Sequence, residues 1–201
     1  MKVVVATRNR HKVREIAVLL AEAGLGFEPV TIDDIAPTAA LVEDEETFEG
    51  NALAKARQAA TACGLPALAD DSGIEVDALA GAPGVRSARW AGEPCDDGRN
   101  NQKMLREMAA VPAGRRTARY RCAAAFVDGR GGEIVRSGAC EGVLLDAPRG
   151  AGGFGYDPLF LVPSLGQTMA EIDLDAKNRL SHRAAAFRAL AQALREAGRK
   201  K

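Results

Sequence analysis

Met1-Lys2-Val3-Val4-Val5-Ala6-Thr7-Arg8-Asn9-Arg10-His11-Lys12-Val13-Arg14-Glu15-Ile16-Ala17-Val18-Leu19-Leu20-Ala21-Glu22-Ala23-Gly24 opens the chain with a change of period. Lys2 to Ala6 is a short, β-branched apolar run and reads as a buried strand. Val13, Ile16, Ala17 and Leu20 then recur at the spacing of one helix face, and Gly24 supplies the stop. Strand, polar loop, helix is the opening of an α/β fold, and the rest of the chain extends that reading.

Phe27 to Thr31 fits a second strand, followed by an acidic loop from Asp33 to Glu46 and a helix from about Phe48 to Cys63 closed by Gly64. Leu65 to Ala69 reads as a short strand delivering Asp70-Asp71-Ser72-Gly73 at its C-terminal end. Ile74 to Leu79 continues extended up to the Gly81-Ala82-Pro83-Gly84 turn. A helix from about Asn100 to Met108 ends before Pro112. Ala118, Tyr120, Cys122, Ala124 and Phe126 then alternate with period two, as in a strand with one buried face. Asp128 to Gly132 connects a hairpin that returns through Glu133 to Cys140, with a further strand near Gly142 to Leu145. A strand at Leu159 to Val162 precedes the last helix, His182 to about Ala197, with Ser181 as its N-cap and Phe187, Leu190 and Leu194 on one face. The expected architecture is a single α/β domain over residues 1–201, a mixed twisted sheet flanked by helices.

With 201 residues, 47% of them hydrophobic, the chain can bury a sizeable core. Lys plus Arg and Asp plus Glu balance at 27 each, so no global field draws it onto nucleic acid or an anionic membrane, and any phosphate site must be local. Cys63, Cys95, Cys122 and Cys140 are scattered without a CxxC pair, and there are two histidines. A disulfide framework and a zinc site rich in Cys or His are therefore not expected. The opening apolar run is too short for a signal peptide and no segment approaches membrane-spanning length, which points to the cytoplasm.

Four clusters can carry chemistry. Thr7-Arg8-Asn9-Arg10-His11-Lys12 sits between the first strand and the first helix, where backbone N–H groups and the helix dipole favour phosphate and Thr7, Asn9 and Lys12 add donors. An ordinary polar helix start is the competing reading. Asp70-Asp71-Ser72-Gly73 brings two carboxylates to a strand end, where ligand crevices form in α/β sheets. Oxygen donors of that kind suit Mg²⁺, with one Asp on metal and the other on water. The alternative there is a turn that caps the strand. Glu43 to Glu46 can add a metal ligand or be a solvated helix entry, and beyond it Asn51 and Lys55 share a helix face.

Gly150-Ala151-Gly152-Gly153-Phe154-Gly155-Tyr156-Asp157-Pro158 is a glycine-lined loop with two aromatic rings and a carboxylate. It suits a flat polar ligand such as a purine, or else a tight turn whose rings fill the core. Lys177 and Ser181-His182-Arg183 gather donors near the last helix, and Arg183 can donate to a purine O6 carbonyl.

In this order the clusters resemble the inosine triphosphate pyrophosphatase family. The marks are Thr7-x-Asn9-x-x-Lys12, Thr47-Phe48 with Asn51-Ala52 and Lys55-Ala56, Ala69-Asp70-Asp71-Ser72-Gly73, Gly81-Ala82-Pro83-Gly84 with Ser87-Ala88-Arg89, Gly152 to Pro158, and Ser181-His182-Arg183. The resemblance spans nearly the whole chain. It implies an elongated two-lobed fold with a deep cleft, a homodimer, Mg²⁺, and hydrolysis of non-standard purine nucleoside triphosphates (ITP, dITP, XTP) to monophosphate and pyrophosphate. It also implies that Thr7, Arg8, Asn9, Arg10, His11, Lys12 and Lys55 hold the triphosphate. Asp71 would be general base and metal ligand with Glu43, Asp70 would support that site and Ser72 would contact substrate. Phe154, Gly155, Tyr156, Asp157, Lys177, His182 and Arg183 would form the nucleoside pocket. Two further readings remain open on the residues alone, a nucleotide-binding regulatory module without chemistry and a pyrophosphatase of the related Maf type.

Overall fold

Residues 1–199 are described by the computed structural model. The elements run β1 (Lys2–Val5), α1 (Arg10–Ala23), β2 (Glu28–Thr31), α2 (Ile32–Ile35), α3 (Phe48–Cys63), β3 (Ala67–Val76), α4 (Asp97–Glu107), β4 (Thr117–Val127), β5 (Glu133–Leu144), β6 (Phe160–Val162), β7 (Gln167–Thr168), α5 (Leu174–Leu180) and α6 (His182–Gly198). The seven strands form one sheet in the order β2-β1-β3-β4-β5-β6-β7. β1 pairs in parallel with β2 and β3, whereas β6 pairs antiparallel with β5 and β7, so the sheet is mixed.

Two compact units share this chain. The first takes Met1–Asp71, Cys122–Gly138 and the segment from His182 onward, and the second takes Ser72–Arg121 and Ala139–Ser181. β3, β4 and β5 each pass from one unit to the other. Burial along β4 follows the same division. Up to Arg121 buried and half-buried residues alternate, whereas Cys122 to Val127 are buried without interruption, the mark of a strand covered on both faces.

The first unit is held by Val3 and Val5 of β1, Ile16, Leu19 and Leu20 of α1, Leu68 of β3, Phe126 of β4 and Phe187 and Leu190 of α6. α1 lies against α6. Each large aliphatic side chain so buried contributes about 1.5–3 kcal/mol. Gly24 closes α1 in the left-handed conformation as expected, and Asn9 caps its start by accepting from the N–H groups of His11 and Lys12. In α3 the buried stripe is Phe48, Asn51, Ala52, Lys55, Ala56, Ala59 and Ala60. Two polar residues thus occupy positions that helix periodicity gives to the core. The second unit packs Ile74 and Val76 of β3, Met104 of α4, Tyr120 of β4 and Leu144 of β5 against Tyr156, Leu159, Phe160 and Met169.

Two sequence expectations are corrected. Asp70-Asp71-Ser72-Gly73 is not a turn at the end of a strand: β3 runs through it to Val76, because Ile74 and Val76 resume a buried pattern and partner charges stabilise the aspartates where strand propensity does not. The return strand after Glu133 does not stop at Cys140 and restart at Gly142. β5 is continuous to Leu144, and Gly142 is there because the Phe160 ring lies against it, where a Cβ would come within 2.4 Å of Cζ. α5, a seven-residue helix capped at its start by Asp173, carries no apolar period in the sequence and was not expected; Ser181 ends it with extended backbone and directly precedes α6, the position expected of that helix's N-cap.

Candidate active site

Successive side chains on a strand point to opposite faces, and this separates Asp70 from Asp71. Asp70 is fully buried. Its Oδ2 accepts from Arg183 Nε at 3.1 Å and Nη2 at 3.0 Å, and Lys12 Nζ stands 3.2 Å away. Arg183 Nη1 donates to Glu15 on α1, so a buried ladder runs Glu15–Arg183–Asp70–Lys12. Burial alone would raise Asp70, but Lys12, Arg183 and Lys55 outweigh it and hold the carboxyl well below the usual carboxylate range. Cys122 Sγ lies 3.8 Å from the same oxygen, and burial beside Asp70 pushes that thiol far up, leaving it inert.

On α3, one turn apart, Asn51 and Lys55 meet Asp71. Asn51 Nδ2 donates to Asp71 Oδ2 at 2.9 Å while its Oδ1 accepts from the Glu45 N–H at 3.0 Å. Lys55 Nζ donates to the Asp70 carbonyl at 2.7 Å and to Glu43, and lies 3.8 Å from Asp71 Oδ1. Burial pushes Asp71 up, and Lys55 and Lys12 do not fully offset it. Burial alone would lower Lys55, but Asp70, Asp71 and Glu43 reverse this and keep it a firm cation. The result is a buried carboxylate of raised basicity, oriented by an amide and an ammonium.

Oxygens of Glu43, Asp71 and the Asp70 carbonyl therefore surround one ammonium. This hard-oxygen set fits a small divalent cation that keeps several waters and takes its remaining ligands from phosphate. Among the described residues no group of three or more His, Cys, Asp and Glu side chains forms a closed metal cage.

The loop before α1 is partly occupied by its own contacts. Thr7 Oγ1 accepts from the Asn9 N–H, Asn9 Oδ1 accepts from the N–H groups of His11 and Lys12, and Lys12 reaches Asp70. Arg8 donates to Asp33 and to the carbonyls of Pro37 and Ala39, while Arg10 and His11 are exposed on the first turn.

In the second unit the glycine loop is organised by Asp157, which is 3% exposed. Its Oδ2 accepts from Lys177 Nζ at 2.7 Å and from the Phe154 N–H at 3.0 Å, and its Oδ1 accepts from Tyr120 OH at 3.1 Å. Lys177 Nζ also lies 4.7 Å from the Phe154 ring centre. Gly153 has positive φ, and a Cβ there would sit 2.1 Å from Asp157 Oδ2, so the loop closes on the carboxylate only with glycine. Tyr156 is in the core, with its hydroxyl on the Ser87 carbonyl. Ser72 is half-buried in β3.

The first unit thus brings together Lys12, Glu43, Lys55, Asp70, Asp71 and Arg183, and the second brings together Phe154, Asp157 and Lys177. His182 is buried in the first turn of α6. The expected donation from Arg183 to a purine is not what the guanidinium does here: Nε, Nη1 and Nη2 are all on Asp70 or Glu15. Glu15 and Tyr120 were not anticipated. Glu15 carried a readable signal, an acid four residues before Leu19 on the buried face of α1, whereas a tyrosine in an alternating strand reads simply as core.

Residues 3–193 match the Ham1 family. A dITP/XTP pyrophosphatase of Geobacter sulfurreducens is 53% identical over 186 residues, covering 92% of this chain and 92% of its own. Another from Symbiobacterium thermophilum is 53% identical over 193 residues, covering 96% and 93%. The solved HAM1 protein of Coxiella burnetii superimposes with a TM-score of 0.86 at 38% identity, over 98% of this chain and 99% of that one. With the match running almost from end to end, the chain belongs to the Ham1 family.

Proposed function

We propose that the protein hydrolyses non-standard purine nucleoside triphosphates, dITP, XTP and ITP, to monophosphate and pyrophosphate. The names of its relatives set the substrate class. The observation that carries the chemistry is Asp71, buried and raised, oriented by Asn51 and facing Lys55. A carboxylate in that state is a stronger base than a solvated one and takes a proton from water attacking the α-phosphorus. Lys12 and Lys55 neutralise the phosphate chain, assisted by the donors of Thr7 to His11. Glu43 and Asp71 would hold a divalent ion, taken to be Mg²⁺, which when bound neutralises charge on the departing pyrophosphate.

Phe154 offers a face to the base, and Lys177, oriented by Asp157, donates to O6. Adenine presents an amino donor at that position and would face the ammonium unpaired, which favours hypoxanthine and xanthine. Arg183 acts beneath the site by holding Asp70, and Ser72 and His182 flank it in sequence. In keeping with the family resemblance, the enzyme would act on the free nucleotide pool in the cytoplasm as a homodimer, and its zero net charge supplies no global field towards nucleic acid.

The test is incubation with Mg²⁺ and ITP, XTP, GTP, ATP or a pyrimidine triphosphate, followed by separation of products. Monophosphate with pyrophosphate from ITP and XTP, and little from GTP or ATP, is expected. Diphosphate with phosphate would overturn attack at the α-phosphorus. Thermal stabilisation by ITP without product would identify a binding module instead.

A further inference from the structure

The proposed base platform, Phe154, is built on a backbone whose polar groups are held from outside its own loop. Three bonds hold the peptide planes on either side of its Cα, and a fourth holds the plane after Gly155. The Phe154 N–H donates to Asp157 Oδ2, and the Phe154 carbonyl accepts from the Asp157 N–H at 3.2 Å. The Gly155 N–H donates to Asp97 Oδ2 at 2.7 Å, and the Gly155 carbonyl accepts from Asn101 Nδ2 at 2.8 Å. The first two bonds are internal to a tight turn. The other two come from α4, where Asp97 and Asn101 stand at i and i+4 and so lie one above the other on one helix face. They grip both polar groups of a single glycine whose φ of +62° only a residue without a Cβ adopts freely.

With the peptide plane before Phe154 held by Asp157 and the plane after it held by Asp97, both backbone torsions of Phe154 are determined, and with them the direction of the Cα–Cβ bond that carries the ring. Asn101 adds a second sign. Its Oδ1 is buried without a hydrogen-bond partner. An amide whose other half is left unpaired is a poor choice for stability, since an apolar residue of the same shape would avoid the penalty.

The geometry points to Asp97 and Asn101 as positioning residues for substrate, a clamp from α4 that sets the Phe154 ring for the purine. This rests on the reading of Phe154 as the base platform. Neither residue touches the reacting phosphates, so the clamp acts on substrate binding and on discrimination between bases, and leaves the hydrolytic step alone.

The experiment is steady-state hydrolysis of ITP by the full chain and by Asp97→Ala, Asp97→Asn, Asn101→Leu, Phe154→Ala and the double variant Asp97→Ala/Phe154→Ala, with Tm for each. Asp97→Ala is expected to raise KM about tenfold with kcat within about twofold, the pattern of lost binding rather than lost chemistry. Asp97→Asn keeps an acceptor for the Gly155 N–H and is expected to restore most of that loss. Asn101→Leu removes the orphan oxygen together with the donor, and is expected to hold or raise Tm while raising KM about threefold. In the Phe154→Ala background the Asp97 substitution is expected to add nothing, because there is no ring left to place. Unchanged KM in Asp97→Ala, or a full additional loss in the double variant, overturns the clamp and leaves Phe154 as the platform. Unchanged KM in Phe154→Ala removes the platform itself, and the clamp with it.

Discussion

Asp70 and Asp71 are adjacent on one strand, chemically identical, and driven in opposite directions. The Asp70 face of β3 is densely charged: Oδ2 meets the guanidinium of Arg183 and the ammonium of Lys12, with Glu15 closing the ladder behind, while Oδ1 is buried without a hydrogen-bond partner. On the Asp71 face the carboxylate accepts from the amide of Asn51 and faces the ammonium of Lys55, which is shared with Glu43 and the Asp70 carbonyl. The first arrangement fixes a charge so firmly that it cannot take part in proton transfer. The second keeps a charge where burial resists it, and so leaves it basic. The strand makes both from neighbouring residues simply by alternating its faces.

The comparison is broken most sharply at Asp71. Asp71→Asn is expected to lower kcat for ITP about 10²–10⁴-fold, the usual worth of a general base, with the fold intact. Because the folded protein holds Asp71 above its ordinary 3.8, its protonated form is the one that folding prefers. That contribution is fully present below the unfolded pKa and is lost as pH rises through the folded pKa. The Asn variant is therefore expected to gain Tm relative to the parent as pH is raised from 4 to 7. A falling difference over that range would reverse the assignment.

Asp70→Asn tests the other face and should behave in the opposite sense. Removing one partner of a buried ionic network costs about 3–5 kcal/mol, so a large fall in Tm is expected, with activity tracking the folded fraction. Asp70 is held below its ordinary 3.8, so its stabilisation is fully present above the unfolded pKa and disappears as pH falls towards the folded pKa. The parent should lose stability steeply below about pH 4, and Asp70→Asn should flatten that limb of a Tm–pH curve. Glu15→Gln sharpens the point at smaller cost. Arg183 keeps Asp70 and loses one charged partner, for which about 1–3 kcal/mol is expected, measured by denaturant unfolding.

The legible parts of the molecule were those in which local and global signals agree. β1, α1 and α3 follow from the apolar run of Val3 to Val5, from the helical spacing of Val13, Ile16, Ala17 and Leu20 and from the stops at Gly24 and Gly64. Asn51 and Lys55 were visible as two polar residues on one face of α3, and they prove to lie in its alanine-lined buried stripe. What could not be read was whatever depends on partners far away in the chain. A strand passing straight through Asp70-Asp71-Ser72-Gly73 violates residue propensity, and it makes sense only once Arg183 is known to lie against Asp70, 113 residues away. Gly142 likewise looks like a break until the Phe160 ring is placed on it. The carboxylates were recognisable as a pair, but their division into one held below and one held above its ordinary range needed the faces of the strand.

Asp157 extends the comparison into the second unit and gives its smallest test. It is a third buried carboxylate, and like Asp71 it faces the ammonium of a buried lysine, here Lys177. Unlike Asp71 it is also bound by a backbone N–H and by the hydroxyl of Tyr120, whose own ionisation is pushed far up by burial and by Asp157. Three donors on two oxygens make it a fixed acceptor, which suits a residue that aims Lys177 and closes the loop on Phe154. Tyr120→Phe keeps the ring contact with Phe160 and removes only the hydroxyl. Loss of one hydrogen bond to a charged group is expected to cost about 1.5–3 kcal/mol of stability, with kcat for ITP unchanged and any rise in KM within about threefold, because Lys177 and the Phe154 N–H still hold the carboxylate. A loss of kcat as large as that of Asp71→Asn would mean that Asp157 takes part in the chemistry and does not merely place Lys177 and Phe154.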